Sequence, residues 1–192
     1  MGEERRRRRE PPAGPSDEAL ALRSRQGDLD AFETLARRYQ DRLFSYALRM
    51  LGSRQDAEDA VQEILLRLYR SMGRFDARQR FVGWAFGIAA HVCRDALRRR
   101  GRRREESRGE FHEASSGPGP SEAASAGERQ ALVAEAVMGL PPKYREVVVL
   151  HYLEGMGYEE VAATLGIRAE AARQRALRAR EMLRRALEER GL

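Results

Sequence analysis

Apolar residues in this chain recur at steps of three and four, the period of one buried face of a helix. The first long run holds Ala31, Phe32, Leu35, Tyr39, Leu43, Phe44, Ala47, Leu48 and Leu51, and Gly52 is placed to end it. Ser53 then stands as an N-cap for a second helix, whose apolar face is Ala57, Ala60, Val61, Ile64, Leu65 and Leu68. A third run, 81–100, carries Phe81, Trp84, Ala85, Ile88, Ala89, Val92 and Leu97. It closes on Arg98, Arg99 and Arg100, where the helix dipole favours cations. The periodicity lapses over 105–127, EESRGEFHEASSGPGPSEAASAG, a stretch too rich in Gly, Pro, Ser and Ala to build a core. It returns from 128, breaks at Pro141 and Pro142, and resumes through Tyr144, Val147, Val148, Leu150 and Leu153. The pattern predicts an all-α chain of two small helical domains, 17–104 and 128–192, joined by a flexible linker over 105–127. The linker is acidic, with Glu105, Glu106, Glu110, Glu113 and Glu122 against Arg108. Residues 1–16 combine an arginine run with Pro11, Pro12 and Pro15 and read as a disordered arginine-rich arm, a solvated tail before anything else.

Charge narrows the class of partner. A net charge of +6 in 192 residues, with a pI near 10.0, favours a polyanion, and nucleic acid leads. The excess is almost all arginine, Lys143 being the one lysine, and asparagine is absent. Such a bias points first to a GC-rich genome, so the arginine count by itself is discounted. Cys93 alone rules out an internal disulfide framework, and the scattered His91, His112 and His151 give no zinc spacing. No metal and no cofactor are expected. Without an apolar segment behind the N-terminal charges or a run of membrane-spanning length, the expectation is a cytoplasmic protein that does not enter a membrane.

Three constellations can carry function. Over 158–180, YEEVAATLGIRAEAARQRALRAR, a short amphipathic helix meets Gly166 and a long arginine-bearing helix follows, the spacing of a helix-turn-helix. Val161, Ala162 and Leu165 would pack inward and Ile167 would plug the angle. The second helix would offer Arg168, Glu170, Arg173, Gln174, Arg175 and Arg178 to duplex DNA, arginine suiting guanine edges and phosphates and glutamine suiting adenine edges. The same pattern is about as often a plain helical hairpin with a solvated basic face. Asp56, Asp59 and Glu63, with Gln62 beside them, line one exposed stripe of the second helix at steps of three and four. A basic partner helix fits such a stripe, although a charged outer face is also the default for an amphipathic helix. In the third run Phe81, Trp84 and Phe86 precede His91, Arg94, Arg98 and Arg99; aromatics interleaved with cations serve single-stranded DNA, and equally Trp84 and Phe86 serve a core. We expect each aromatic to bury one face and present another.

These three constellations, in this order, resemble the extracytoplasmic-function (ECF) sigma factors of bacteria. GDLDAFETLARRYQDRLFSYALRMLG resembles the opening helices of that family's first domain, and DAEDAVQEILLRLYR is similar to its most distinctive motif. The resemblance implies that Asp59, Gln62 and Glu63, with Asp56 ahead of them, grip a coiled coil on the largest subunit of core RNA polymerase. RFVGWAFGIAAHVCRDALRRR resembles the segment that melts and reads the minus-10 element, with His91 standing where the family commonly has Asn. LPPKYREVVVLHYLEGMGYEEVAATLG and the following RQRALRARE resemble the minus-35-binding domain. There Ala171 and Ala172 replace the usual Thr and Val, and Arg168 replaces a capping Ser. The implied function is a non-enzymatic factor that directs promoter-specific initiation on duplex and melted DNA, with an anti-sigma protein as a restraining partner the family admits.

Two other readings remain at this point. A stand-alone helix-turn-helix regulator would act at an operator without polymerase, and would need a dimerisation element that nothing here resembles. A degenerate sigma paralogue would only titrate a partner, a reading that the altered start of the recognition helix favours. Enzyme signatures such as G-x-x-x-x-G-K, H-E-x-x-H and G-x-S-x-G are absent from the sequence.

Overall fold

A computed structural model describes residues 14–106 and 125–190. The arm over 1–13 and the linker over 107–124 lie outside the described residues. Within them the regular structure is all helical: α1 (Asp17–Arg25), α2 (Leu29–Leu51), α3 (Arg54–Ser71), α4 (Phe81–Glu106), α5 (Ser125–Gly139), α6 (Pro142–Val148), α7 (Tyr158–Leu165) and α8 (Ala169–Glu188). Helix α4 continues two residues beyond Arg104, and α5 begins inside the stretch expected to be linker. The extension of α4 follows from composition, because the arginines and glutamates after Leu97 are good helix formers. Among the described residues no helix is long and apolar enough to cross a membrane.

Helices α1 to α4 form the first domain, and their boundaries have visible causes. Ser16 caps α1 by accepting from the Ala19 amide (3.1 Å), Asp28 caps α2 through Ala31 (3.0 Å), and Ser53 caps α3 through Asp56 (3.2 Å). Gly52 ends α2 in the left-handed region at φ +72°, where a side chain would be strained. The core is aromatic: Tyr39 meets Phe81 edge-on at 5.0 Å, Tyr46 meets Phe86 at 5.5 Å, and Phe75 bridges Phe81 and Trp84. Helix α1 ties this core together. Asp17 accepts from the Tyr39 hydroxyl at 2.6 Å and pairs with Arg38 at 2.8 Å, while Glu18 accepts the Phe81 amide at the start of α4 (3.1 Å).

Helices α5 to α8 form the second domain. Pro142 opens α6 at the first helical position, where its missing N–H is no loss. The chain then runs through a single wide turn, Val149–Leu153, before Gly155 (φ +71°) redirects it into α7. The two domains pack directly on each other. Arg145 of α6 donates to the carbonyls of Met50 (2.7 Å) and Leu140 (2.8 Å) and also to that of Met138, closing the C-terminal ends of α2 and α5 together. Gly83 and Gly87 of α4 face Thr164 of α7, and a Cβ at either would stand 3.3 Å from it.

Candidate nucleic-acid and polymerase interfaces

The acidic stripe sits where the helical period put it. Ala57, Ala60, Val61, Ile64 and Leu68 turn α3 onto the core, which leaves Asp56, Asp59 and Gln62 exposed and Glu63 half-buried. Glu63 accepts from Arg67 at 2.6 Å, one turn on, and Arg67 also reaches Asp95 at 3.6 Å. The same side of α3 continues into exposed Leu66 and Tyr69, and Tyr69 packs edge-on against Phe32 of α2 at 5.1 Å. Sequence reasoning missed this apolar extension. Leu66 lies four residues beyond Gln62 and Tyr69 three beyond Leu66, so the helical period sets both on the stripe, off the apolar face of Ala57, Ala60, Val61, Ile64, Leu65 and Leu68.

The expected promoter-melting segment is divided by the core. Phe81 and Phe86 are 1% and 0% exposed, because they lie on the face of α4 that meets Tyr39 and Tyr46. The expectation that each presents a free face is corrected: both are core residues beneath the surface of α4. Trp84 is half-buried, its ring tilted over Phe75 and Phe81, and His91 is exposed two turns further along the same face. Both line a groove of about 550 Å³, with Gly83, Gly87 and Ile88 of α4 on one side and Met156, Glu159, Glu160 and Thr164 of the second domain on the other. Past Ile88 and His91 a second depression of about 430 Å³ is lined by Arg67, Arg70 and Arg74. Arg98 is exposed and pairs with Asp95 at 2.5 Å, and Arg99 is exposed. Arg94 instead turns toward the domain boundary, 3.6 Å from the carboxylate of Glu146.

Glu146 is the unusual group there. Its side chain is 3% exposed, and one oxygen lacks a hydrogen bond, as does the nearby hydroxyl of Tyr46. Burial raises its pKa, against the pull of Arg94 and Arg175. Burial also pushes the Cys93 thiol up to about 12, with the Glu146 charge adding to it, so this cysteine is a packed apolar residue and not a nucleophile.

The helix-turn-helix forms as the spacing predicts. Val161, Ala162 and Leu165 are buried, Gly166 takes φ +67°, and the Ile167 amide donates to the Ala162 carbonyl at 2.9 Å. Arg168 stands at the N-cap of α8 with extended backbone and no side-chain cap. Along α8, Arg168, Glu170, Arg173, Gln174 and Arg178 are exposed, whereas Arg175 is half-buried and acts on Glu146. Arg173 is not free for a phosphate in this conformation, since it pairs with Glu159 and lies 3.5 Å from Glu170. Among the described residues no group of three His, Cys, Asp or Glu side chains could hold a metal ion.

Known proteins share both domains. The family description Sigma-70 region 2 matches residues 35–103, and Sigma-70, region 4 matches 130–183. The chain is 35% identical over 177 residues to the ECF RNA polymerase sigma factor SigE of Mycolicibacterium smegmatis, covering 88% of this chain and 68% of that protein. It is 37% identical over 167 residues to the RNA polymerase sigma factor CarQ of Myxococcus xanthus, covering 87% and 95%. Among solved structures, CnrH in complex with the cytosolic domain of CnrY superposes with a TM-score of 0.68 at 29% identity, over 90% of this chain and 97% of that one. The sigma factor RpoE of Bartonella quintana, in complex with the anti-sigma factor NepR, gives the same TM-score at 25% identity over 82% and 96%. Nothing in these relatives or in the fold favours the operator-binding or the titrating alternative. With two matched domains in the expected order and close relatives along nearly the whole chain, this protein belongs to the ECF RNA polymerase sigma factors, which direct core polymerase to promoters for transcription initiation.

Proposed function

We propose that this sigma factor holds core RNA polymerase through the exposed stripe of α3, Asp56, Asp59, Gln62 and Glu63, with Leu66 and Tyr69 as its apolar continuation. The observation that carries this reading is that the stripe stays open to solvent even while the two domains are packed together. A coiled coil on the largest polymerase subunit would meet carboxylates at one end and apolar side chains at the other, the usual division between polar rim and apolar centre. On the DNA side, Trp84 and His91 form the wall against which an unstacked minus-10 base would lie, with Arg98 and Arg99 on the backbone. Capture of that base offsets the loss of stacking, so strand opening needs no covalent step and no catalytic group. Arg168, Glu170, Gln174 and Arg178 face the minus-35 duplex, and Arg173 joins them once released from Glu159. The protein acts in the cytoplasm, and an anti-sigma protein is a fitting partner given the complexes formed by its structural neighbours.

Run-off transcription with core polymerase and a genomic promoter library tests the polymerase contact. Discrete transcripts that need the protein and disappear with Glu63→Arg, while its circular dichroism matches the parent, are expected. Transcripts that persist with both Glu63→Arg and Asp59→Arg would remove the stripe from the interface.

A further inference from the structure

We propose that Leu177 is a specificity residue of the recognition helix, reading the methyl group of a thymine in the minus-35 duplex beside an adenine held by Gln174. The inference rests on the reading of α8 as the minus-35 helix. Leu177 is 58% exposed, and among the described large apolar residues only Leu29 is more open. Packing uses the opposite side of α8, where Ala172, Ala176 and Ala179 are buried and Leu183 meets the core. Successive residues turn by about 100°, so Leu177 stands on the outward face about 60° from Gln174. Arg173, Gln174, Arg178 and Glu181, all exposed, surround it. Helix α8 rests on α5, α6 and α7, and this face stays open while the two domains are packed together. A lone exposed leucine needs no explanation on most surfaces. This one shares its row with Glu170 and Gln174, on the side of a helix-turn-helix that enters the groove.

The chemistry of the major groove selects the base. Base pairs present hydrogen-bond donors and acceptors there, and thymine alone adds a methyl group. Leucine has neither donor nor acceptor, so over a guanine, adenine or cytosine edge it would leave polar atoms desolvated and unpaired. Over the thymine methyl it buries apolar surface instead. Spacing agrees. Three residues along a helix advance about 4.5 Å, against about 3.4 Å for one base step, so Leu177 meets a base pair one or two steps from that of Gln174. Glutamine matches the adenine edge, and Arg178 beside Leu177 supplies charge for a phosphate.

The test uses the full chain with core polymerase, on a promoter from the genomic library with its minus-35 segment randomised. Transcripts are sequenced for the parent, Leu177→Ala and Gln174→Ala. Both variants change exposed side chains and should keep the circular dichroism of the parent. The parent is expected to enrich thymine one or two base pairs from an adenine. Leu177→Ala should lose the thymine preference and Gln174→Ala the adenine preference. Deoxyuridine in place of that thymine removes only the methyl. At limiting holoenzyme it should lower parent transcription by about fourfold, the worth of one buried methyl group, and leave Leu177→Ala unchanged. An equal response to deoxyuridine in parent and variant would overturn the inference, as would a parent that enriches other bases but no thymine. A uniform fall of Leu177→Ala on every minus-35 sequence would overturn it too, placing Leu177 against a protein surface. If the parent shows no preference anywhere in the segment, the minus-35 reading of α8 fails and takes this inference with it.

Discussion

At the scale of single residues, two neighbours on α6 do opposite things at the domain boundary. Arg145 is 8% exposed, and burial lowers its pKa, yet its guanidinium remains charged because the end carbonyls of α2 and α5 converge on it. Arg145→Met should lower stability to urea by about 1–3 kcal/mol for each buried carbonyl left bare, with Arg145→Lys recovering only part because a point charge cannot reproduce the fork. An unchanged urea midpoint would mean that these carbonyls find other donors. Glu146 carries a raised pKa from burial, so its protonated form suits the packed state. Its contribution is full below the ordinary glutamate range and is lost as pH rises through its raised value. Asp28, lowered by the Ala31 amide, and Asp76 and Asp95, lowered by Arg78 and Arg98, act in the other direction. The informative quantity is therefore the difference between parent and Glu146→Gln. The glutamine variant should be more stable at neutral pH, and its advantage should shrink on acidification; a constant difference would sink this account. Neither residue stood out in the sequence, where Arg145 and Glu146 look like surface charges beside Tyr144.

At the scale of elements, the cap at Ser53 was legible, whereas the side-chain caps at Ser16 and Asp28 were not read from the sequence. Ser53 and Gly52 fall where the pattern put them, and Gly166 turns the helix-turn-helix as expected. The exception is also legible: Arg168 caps nothing, and the first turn of α8 has bare amides. Arg168→Ser should stabilise the second domain by about 1 kcal/mol, since the backbone at that position is already extended as a cap requires. A rise in the thermal midpoint, with slower amide exchange confined to the first turn of α8, would bear this out; unchanged exchange there would not. Helix α4 shows the limit of periodicity. Its aromatics at 81, 84 and 86 spread over most of a turn, so spacing alone could not say which of them the core takes. Contact with Tyr39 and Tyr46 decides it, burying Phe81 and Phe86 and leaving Trp84 at the rim.

At the scale of the whole molecule, the arrangement of the two domains sets which faces are open. The acidic stripe of α3 is open to solvent, whereas the groove beside Trp84 is shared with α7. If charge pairs, Arg42 with Glu154 and Arg80 with Glu160, hold the domains closed, salt should loosen them. Between dilute buffer and about 1 M salt, where the Debye length falls to about 3 Å, acrylamide quenching of Trp84 should rise in the parent and change less in Glu154→Gln. Equal salt response in the two would mean that apolar packing alone holds the domains. The amino-acid order by itself determined the helices, the division into two domains, the acidic stripe and the helix-turn-helix. Each of these depends on a local period, a cap or a turn residue, and local physics repeats wherever the same pattern occurs. Tertiary structure alone decided that Phe81 and Phe86 are core and that Glu154 and Glu160 meet arginines from the other end of the chain. Those outcomes depend on partners 80 and 112 residues away for the two glutamates, a separation that no window on the sequence spans.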